Sequence, residues 1–269
     1  MSNYYNWIAN IYDQTRPLPN SVSEQVADCI LSSVGATAQT TFLEPGIGTG
    51  RTALPIIKRG YAYTGVDISK EMMDQLRYKL QGVPNQLTLI QADAASLPFE
   101  NDLFDVVLTT HVLHCLPDWL KGLAEIRRVL KLTGVYLACE NLLTEHQREF
   151  ENSFRAILSQ YQPKVQKTVE DNIRLSPFGK EMIQVLAEQG ATLETITAAR
   201  WRVEQTLGEL LDIYQSKAIG ICWSVPDDIF SKAMQDFRAW CQKHYGSEDV
   251  VLSSDATFDI TVARNWAFT

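Results

Sequence analysis

The chain lacks both a long apolar run and an excess of positive charge. No stretch of its 269 residues approaches the ~20 apolar residues of a membrane helix, and the N-terminus has no apolar core of the signal-peptide type. Acidic residues outnumber basic ones, 32 to 24, so the formal net charge is −8. Such a chain is poorly suited to neutralising a phosphate backbone. The sequence therefore predicts a soluble cytoplasmic protein that binds neither membrane nor nucleic acid, and it leaves the oligomeric state unknown.

Cysteine pairs are also missing. The five cysteines are odd in number, widely spaced and without a Cys-x-x-Cys motif, which argues against a disulfide framework or a zinc knuckle. We predict free, buried thiols in a reducing compartment. The ordinary share of hydrophobic residues, 45%, excludes a disordered chain.

What the first half contains is a regular alternation of strand and helix patterns. The predicted strands lie at residues 41–44, 61–67, 86–91, 104–109 and 134–140. Helices are predicted at residues 51–59 and 119–130, with another capped by Ser69. This alternation predicts βαβ units, with a parallel sheet covered by helices on both faces.

The second half is richer in helices and aromatic residues. We predict helices at residues 145–165, 178–189 and 227–245, and strands at 193–203 and 259–263. There is no linker-like segment, so residues 1–269 are predicted to form a single domain. Its predicted parts are an N-terminal helical segment (1–40), a cofactor-binding core (41–140), and helical cap insertions (141–177 and 204–255) around a C-terminal strand pair.

The clearest motif is the glycine-rich turn after the first strand, Glu44-Pro45-Gly46-Ile47-Gly48-Thr49-Gly50. Glycines permit a tight turn and a close approach of a ligand to the backbone. A dinucleotide site of the G-x-G-x-x-G type would require glycine at position 51, where this chain has Arg51. The acid Glu44 also suits a ligand with an ammonium group better than a pyrophosphate. A merely structural turn remains the alternative.

Two further acids follow the next strands. Asp67 ends the second strand, where a carboxylate can accept hydrogen bonds from both ribose hydroxyls. Asp93 and Ala94 follow the third strand, where a carboxylate and a main-chain N–H can bind an adenine edge. Each acid could instead serve only as a helix-start or turn residue. Because all three features lie at the carboxyl ends of neighbouring strands, we expect a nucleoside ligand there.

With these motifs the chain resembles the class I S-adenosylmethionine-dependent methyltransferases. The resemblance is to the small-molecule branch, which includes ubiquinone- and menaquinone-biosynthesis-like enzymes. The matching segments cover roughly the first half: EPGIGTG (44–50), TGVDIS (64–69), QADAASLPF (91–99), FDVV (104–107), HVLHCLPD (111–118) and RRVLK (127–131). Leu132-Thr133-Gly134 departs from the usual Pro-Gly-Gly. The resemblance implies a Rossmann-like, doubly wound, seven-stranded, mostly parallel α/β sheet with an antiparallel last strand. It also implies S-adenosylmethionine (SAM) as cofactor and S-adenosylhomocysteine (SAH) as product.

The resemblance also implies roles for individual residues. Gly46, Gly48 and Gly50 would line the methionine portion of the cofactor, and Glu44 would lie near its ammonium group. Asp67 would bind the ribose, Ile68 would pack on the adenine, and Asp93 and Ala94 would bind its edge. Thr110 and His111 would lie near the methyl group. Arg16, in the segment Tyr12-Asp13-x-x-Arg16-Pro17, is the candidate for the cofactor carboxylate.

Methyl transfer from a sulfonium is an in-line displacement to an O, N or C nucleophile, so the protein mainly positions the reactants and excludes water. His111 is the candidate general base. No metal is expected, because His111 and His114 lack further ligands at metal spacing. The acceptor is expected to be a small apolar or aromatic molecule, and the candidate residues for binding it are Tyr5, Tyr12, His114, Trp201 and Trp223. The alternatives are an NAD(P)-dependent oxidoreductase and a non-catalytic protein that binds an adenosyl ligand.

Overall fold

The computed structural model describes residues 2–162 and 175–266. These residues form a seven-stranded sheet with the spatial order β3-β2-β1-β4-β5-β7-β6. The strands are β1 (Thr41–Pro45), β2 (Ala62–Asp67), β3 (Leu87–Gln91), β4 (Phe104–Thr110), β5 (Leu130–Asn141), β6 (Thr192–Thr206) and β7 (Val251–Arg264). Strands β1 to β5 pair in parallel, and β7 runs antiparallel to β5. The predicted fold class is confirmed.

Helices connect most of these strands. In chain order they are α1 (Ser2–Ile8), α2 (Tyr12–Thr15), α3 (Asn20–Ser33), α4 (Ala53–Lys58), α5 (Lys70–Leu80), α6 (Trp119–Val129), α7 (Glu145–Tyr161), α8 (Leu175–Glu188), α9 (Leu207–Gln215) and α10 (Asp227–Tyr245), with short 3-10 turns at Leu113–Cys115 and Gly220–Cys222. The predicted helix 145–165 ends earlier, at Tyr161, and its positions 163–165 lie outside the described residues. None of the helices within the described ranges is both long and apolar enough to cross a bilayer.

Local capping explains where the helices beside the glycine turn begin and end. The Ser69 side chain accepts a hydrogen bond from the Met72 N–H at the start of α5, as its position predicts. At the other end, Gln81 closes the helix in a left-handed conformation with φ 55°. The Asp118 side chain caps α6 in the same way by accepting from Lys121 N–H.

The described chain forms two compact units. The first comprises the residues up to Asn141, Leu175–Ala199 and the residues from Phe258 onwards. Its core includes side chains from the sheet and from α6 and α8. Fully or almost fully buried examples are Leu43, Val66, Val107, Ile126 and Leu186. Each such side chain contributes about 1.5–3 kcal/mol by leaving water, so the strands that carry the glycine turn are anchored in a packed interior.

The second unit comprises Leu142–Gln162 and Arg200–Thr257 within the described residues. Its helices α7 and α9 both begin with capping boxes, formed by Thr144 with Gln147 and by Thr206 with Glu209. Its core is strongly aromatic, and Phe154 contacts the rings of both Tyr214 and Phe237. The single-domain organisation predicted from the sequence stays a prediction.

Candidate functional site

The glycine-rich turn lies directly after β1, at the carboxyl end of the parallel strands. Gly46, Gly48 and Gly50 all have positive φ angles, of 74°, 54° and 73°, which side chains with a Cβ rarely adopt. A Cβ on Gly50 would lie 2.5 Å from Leu76 Cδ1, and a Cβ on Gly48 would lie 3.3 Å from Met72 Cε. The turn therefore needs glycine for its conformation and, at Gly50, also for packing against α5.

Asp67 ends β2 and holds this turn in place. Its Oδ2 accepts a hydrogen bond from the Gly48 N–H at 2.8 Å, and its Oδ1 accepts from the Ser69 N–H, also at 2.8 Å. Burial raises the pKa of Asp67, although the N–H donors oppose that effect. Each carboxylate oxygen keeps a second lone pair, so Asp67 can still accept hydrogen bonds from the two hydroxyls of a ribose.

Glu44 lies beneath the same turn with only 2% of its surface exposed. Within the described residues its hydrogen-bond partners are two hydroxyl groups, not a cation: Tyr63 donates to Oε2 at 2.6 Å, and Thr110 donates to Oε1 at 3.4 Å. Burial raises the pKa of Glu44 to about 8, against the effect of those hydrogen bonds. Glu44 is thus a mostly protonated acid at pH 7, and a bound ammonium group would favour its ionised form.

The residues predicted around an adenine ring occupy the same edge of the sheet. Ile68 is 46% exposed, as an apolar surface for a stacked ring requires, and Ala94 is buried. Asp93 is exposed, and its Oδ1 accepts from the Ala95 N–H at 2.8 Å. That contact is also what an ordinary turn aspartate makes, so the roles assigned to Ile68, Asp93 and Ala94 stay predictions.

The N-terminal segment contacts the glycine turn. Asp13, in α2, accepts from the Thr49 hydroxyl at 2.6 Å and forms an ion pair with Lys79. Lys79 also donates to the main-chain oxygen of Thr49, at 2.7 Å. Arg16 follows α2, donates to the Thr15 hydroxyl, and lies over the Tyr12 ring, with 4.6 Å between its Cζ and the ring centroid.

Arg51 is a basic residue at this turn that the sequence analysis did not assign to the ligand. Burial lowers the pKa of Arg51, whereas Tyr12 and Asp13 counteract that effect and the nearby charge of Arg16 adds to it. Its Nε has no hydrogen-bond partner among the described residues. The sequence signal for Arg51 was its position directly after the last glycine of the turn, and its charge interacts with that of Arg16.

A second group of predicted residues follows β4. His111 has a left-handed φ of 53°. Its Nε2 lies 2.6 Å from Asn141 Oδ1, and the main-chain N–H of Asn141 donates to the same Nε2 at 3.2 Å. Burial lowers the pKa of His111 to about 4, so the ring is neutral at pH 7 and holds a proton weakly. Asn141 was missed, although a polar residue at the carboxyl end of β5 is the signal that should have marked it.

Tyr5 is linked to His111 through Cys115, and the ring of His114 lies near that of His111. The Tyr5 hydroxyl and Cys115 Sγ are 3.1 Å apart, and Cys115 Sγ donates to the main-chain oxygen of His111. The rings of His111 and His114 are 6.2 Å apart, edge to face. No group of three potential metal ligands occurs anywhere in the described ranges.

The two predicted tryptophans belong to the second unit. Trp201 lies in β6 and is half-buried, and Trp223 follows the 3-10 turn at Gly220–Cys222. The Trp223 Nε1–H donates to the main-chain oxygen of Lys217 at 3.0 Å. Their assignment to the acceptor stays a prediction.

Comparisons with known proteins bear on this site. A family model described as "Methyltransferase domain" matches residues 43–138, which span the glycine turn, the ends of β2 to β4 and most of β5. A demethylmenaquinone methyltransferase from Clavibacter sepedonicus is 26% identical over 200 residues, covering 74% of this chain and 81% of that protein. The YcgJ protein from Bacillus subtilis has a similar fold, with a TM-score of 0.57 and 20% identity over 89% of this chain and 97% of that one.

A phosphoethanolamine N-methyltransferase 2 from Haemonchus contortus, solved in complex with S-adenosyl-L-methionine, also shares the fold. The TM-score is 0.54, with 17% identity over 96% of this chain and 57% of that one. The sheet order and the glycine turn thus define a Rossmann-like methyltransferase fold. Together with the domain match and the sequence relatives, this fold supports SAM-dependent methylation of a small molecule. These comparisons support neither the oxidoreductase nor the non-catalytic alternative.

Proposed function

We propose that SAM binds along the carboxyl edge of β1, β2 and β3, with its ribose at Asp67 and its adenine between Ile68 and the Asp93-Ala94 turn. The observation that carries this proposal is the bond between Asp67 and the Gly48 N–H. It brings the acid that would bind the ribose into contact with the turn that would receive the methionine portion. SAM suits both features, because its ribose carries two hydroxyl donors and its methionine portion is a thin chain that can lie against the glycine turn.

The charges around the turn fit the methionine portion. Glu44 is a buried acid bonded to hydroxyl groups, which suits the ammonium group. Arg16 and Arg51, whose charges affect each other, suit the carboxylate, because guanidinium groups bind carboxylates well. Gly46, Gly48 and Gly50 would allow the backbone to come close to the ligand, and Thr110 would lie near the methyl group.

When bound, SAM supplies an electrophilic methyl group on a sulfonium. The remaining work for this chain is to hold the acceptor nucleophile in line with that methyl group and to exclude water. His111 and Thr110 follow one another at the end of β4, beside the proposed position of the methyl group. The base role predicted for His111 requires a proton acceptor, and its pKa of about 4 makes it a weak one at neutral pH.

The proposed acceptor is a small apolar or aromatic molecule. Tyr5 and Tyr12 come from the N-terminal segment, and His114 comes from the turn after β4. All three belong to the first unit, as His111 does. Trp201 and Trp223 are kept as candidates from the second unit. The name of the Clavibacter relative points in the same direction, since demethylmenaquinone is an apolar aromatic compound.

We also propose a cytoplasmic location, which the unpaired pattern of cysteines favours and which cell fractionation tests.

A methyl-transfer screen tests the acceptor class. The protein is incubated with SAM labelled on the methyl group and with a reduced 1,4-naphthoquinone, simple phenols, primary amines, carboxylic acids and an RNA oligonucleotide. We expect label in the naphthoquinol or a phenol. Transfer only to amines, carboxylates or RNA contradicts the proposal.

The cofactor site is tested with a matched pair of variants. Asp67→Asn keeps the shape of the side chain but loses the negative charge and one of the two oxygens that would accept hydrogen bonds from the ribose hydroxyls. Asp74→Asn removes an acid from the surface of α5, where Asp74 pairs with Lys70 and Arg77. We expect Asp67→Asn to weaken SAH binding by about 1–3 kcal/mol and Asp74→Asn to leave it unchanged in calorimetry. Equal affinities for both variants would place the ribose elsewhere.

A further inference from the structure

Asn141 contacts His111 in two ways that cannot both be satisfied by one form of the ring. The Asn141 side-chain oxygen, 2.6 Å from Nε2, requires a proton on that nitrogen. The Asn141 main-chain N–H, which points at the same nitrogen from 3.2 Å, requires a lone pair there. A neutral imidazole has a proton on one nitrogen and a lone pair on the other, so one of the two contacts must give way.

The main-chain contact is the one that cannot be rearranged. Asn141 is the last residue of β5, which pairs with β4 on one side and with β7 on the other, where Asn141 lies opposite Phe258. Its N–H is therefore held in position by the sheet. The side-chain amide, in contrast, can turn by 180° and present its NH₂ group to Nε2 in place of its oxygen. After that rotation the Nε2 lone pair faces two donors and no acceptor.

The position of the His111 ring is fixed as well. The left-handed φ of 53° at His111 costs a residue with a Cβ about 1–2 kcal/mol, so the surrounding contacts must hold it there. Cys115 Sγ donates to the His111 main-chain oxygen, and the Tyr5 hydroxyl lies 3.1 Å from that sulfur. These contacts hold the backbone of His111, and the ring itself is restrained by its contacts with Asn141.

We propose that the main-chain N–H of Asn141 fixes neutral His111 in the tautomer with its proton on Nδ1, so that His111 donates a hydrogen bond to an oxygen of the methyl acceptor and does not deprotonate it. Asn141 is thus a positioning residue that acts through His111. The acceptor then carries a carbonyl, ether or phenolate oxygen next to the reacting atom. This last step rests on the proposed acceptor site, whereas the tautomer does not.

The charged neighbours of His111 agree with a ring that stays neutral. Arg16 and Arg51 both disfavour a positive charge on it, as does His114, whose own pKa is lowered by burial. Cys115 is held as a thiol, because burial raises its pKa. A neutral His111 ring would leave methyl transfer without a titration of that ring between about pH 5.5 and 8.

Nitrogen-15 NMR of histidine-labelled protein measures the tautomer directly and needs neither cofactor nor acceptor. The His111 signals are assigned by their loss in His111→Asn. We expect a protonated Nδ1 and a lone pair on Nε2 in the wild type and also in Asn141→Ala, which keeps the main-chain N–H.

Two results overturn the proposal: a protonated Nε2 in the wild type, or a change of tautomer in Asn141→Ala. The donor role is then tested with His111→Asn and His111→Asp, which tolerate the left-handed backbone equally and place a polar atom where Nδ1 was. With the reduced 1,4-naphthoquinone as acceptor, we expect kcat in His111→Asn at least tenfold above that in His111→Asp. The reverse order indicates a base and contradicts donation. If the naphthoquinol is not methylated at all, the acceptor proposal fails while the NMR result still decides the tautomer.

Discussion

Replacing Glu44 by Gln removes a buried acid while keeping a side chain that can still accept the Tyr63 hydroxyl. The ordinary pKa of a Glu side chain is 4.5, and in the folded protein that of Glu44 is about 8. At pH values between these two pKa values, Glu44 has lost its proton in the unfolded chain but keeps it in the folded chain. The free energy of unfolding of the wild type should therefore fall as pH rises, by up to about 1.4 kcal/mol per pH unit from this residue.

Between the ordinary pKa and about pH 8, the contribution of Glu44 to the free energy of unfolding amounts to at most about 4–5 kcal/mol. The contribution is present in full at low pH and is lost by about pH 8. Urea unfolding at pH 5, 6, 7 and 8 measures it as the difference between the wild type and Glu44→Gln, in which the contributions of other acids cancel. The control is Glu125→Gln. Glu125 pairs with Arg128, and this pairing lowers the pKa of Glu125. The contribution of Glu125 to the free energy of unfolding is therefore lost only below the ordinary pKa of a Glu side chain. If the difference in free energy of unfolding between the wild type and Glu44→Gln stays constant from pH 5 to pH 8, the pKa of Glu44 is not raised in the folded protein.

Three other substitutions test the turn and its surroundings. Gly48→Val should abolish SAH binding in calorimetry, because a branched side chain would occupy the space that the ligand needs; wild-type affinity would place the ligand elsewhere. Gly50→Ala should lower the free energy of unfolding by about 1–3 kcal/mol, because its Cβ would lie 2.5 Å from Leu76 at a positive φ; an unchanged urea midpoint would contradict this packing. His111→Ala should remove turnover but keep SAH affinity, and normal turnover with the true acceptor would end the proposed role of His111. Binding of SAH at pH 7 should also release a proton in the wild type and none in Glu44→Gln, measured as a buffer-dependent enthalpy.

The parallel core of the fold could be predicted because its signals are local. Each predicted strand from residue 41 to residue 140 overlaps an observed one, and the cap at Ser69 is present. Strand β7 was predicted only at residues 259–263 but begins at Val251. Its first half contains Ser254, a polar residue that is nonetheless buried, and this hides the apolar alternation. Helix α9 was not delimited either, although Thr206 and Glu209 form a capping box that the sequence displays.

The candidate site was predictable where its residues follow strands and less so where partners come from distant segments. Glu44 and Asp67 are marked by their positions at strand ends. The sequence does not show that Glu44 is bonded to Tyr63, 19 residues away, or that burial raises its pKa to about 8. The contact of His111 with Asn141 depends on how β4 and β5 end beside one another. Such pairings decide protonation, and they arise only from the folded arrangement.

We propose that the glycine turn and Asp67 form a SAM site and not a dinucleotide site. Calorimetric titration of the wild-type protein with SAM, SAH and NAD tests this most directly. We expect SAM and SAH to bind at one site per chain and to displace each other, and we expect NAD to give no heat and to displace neither. Binding of NAD in the absence of SAH binding would contradict this proposal.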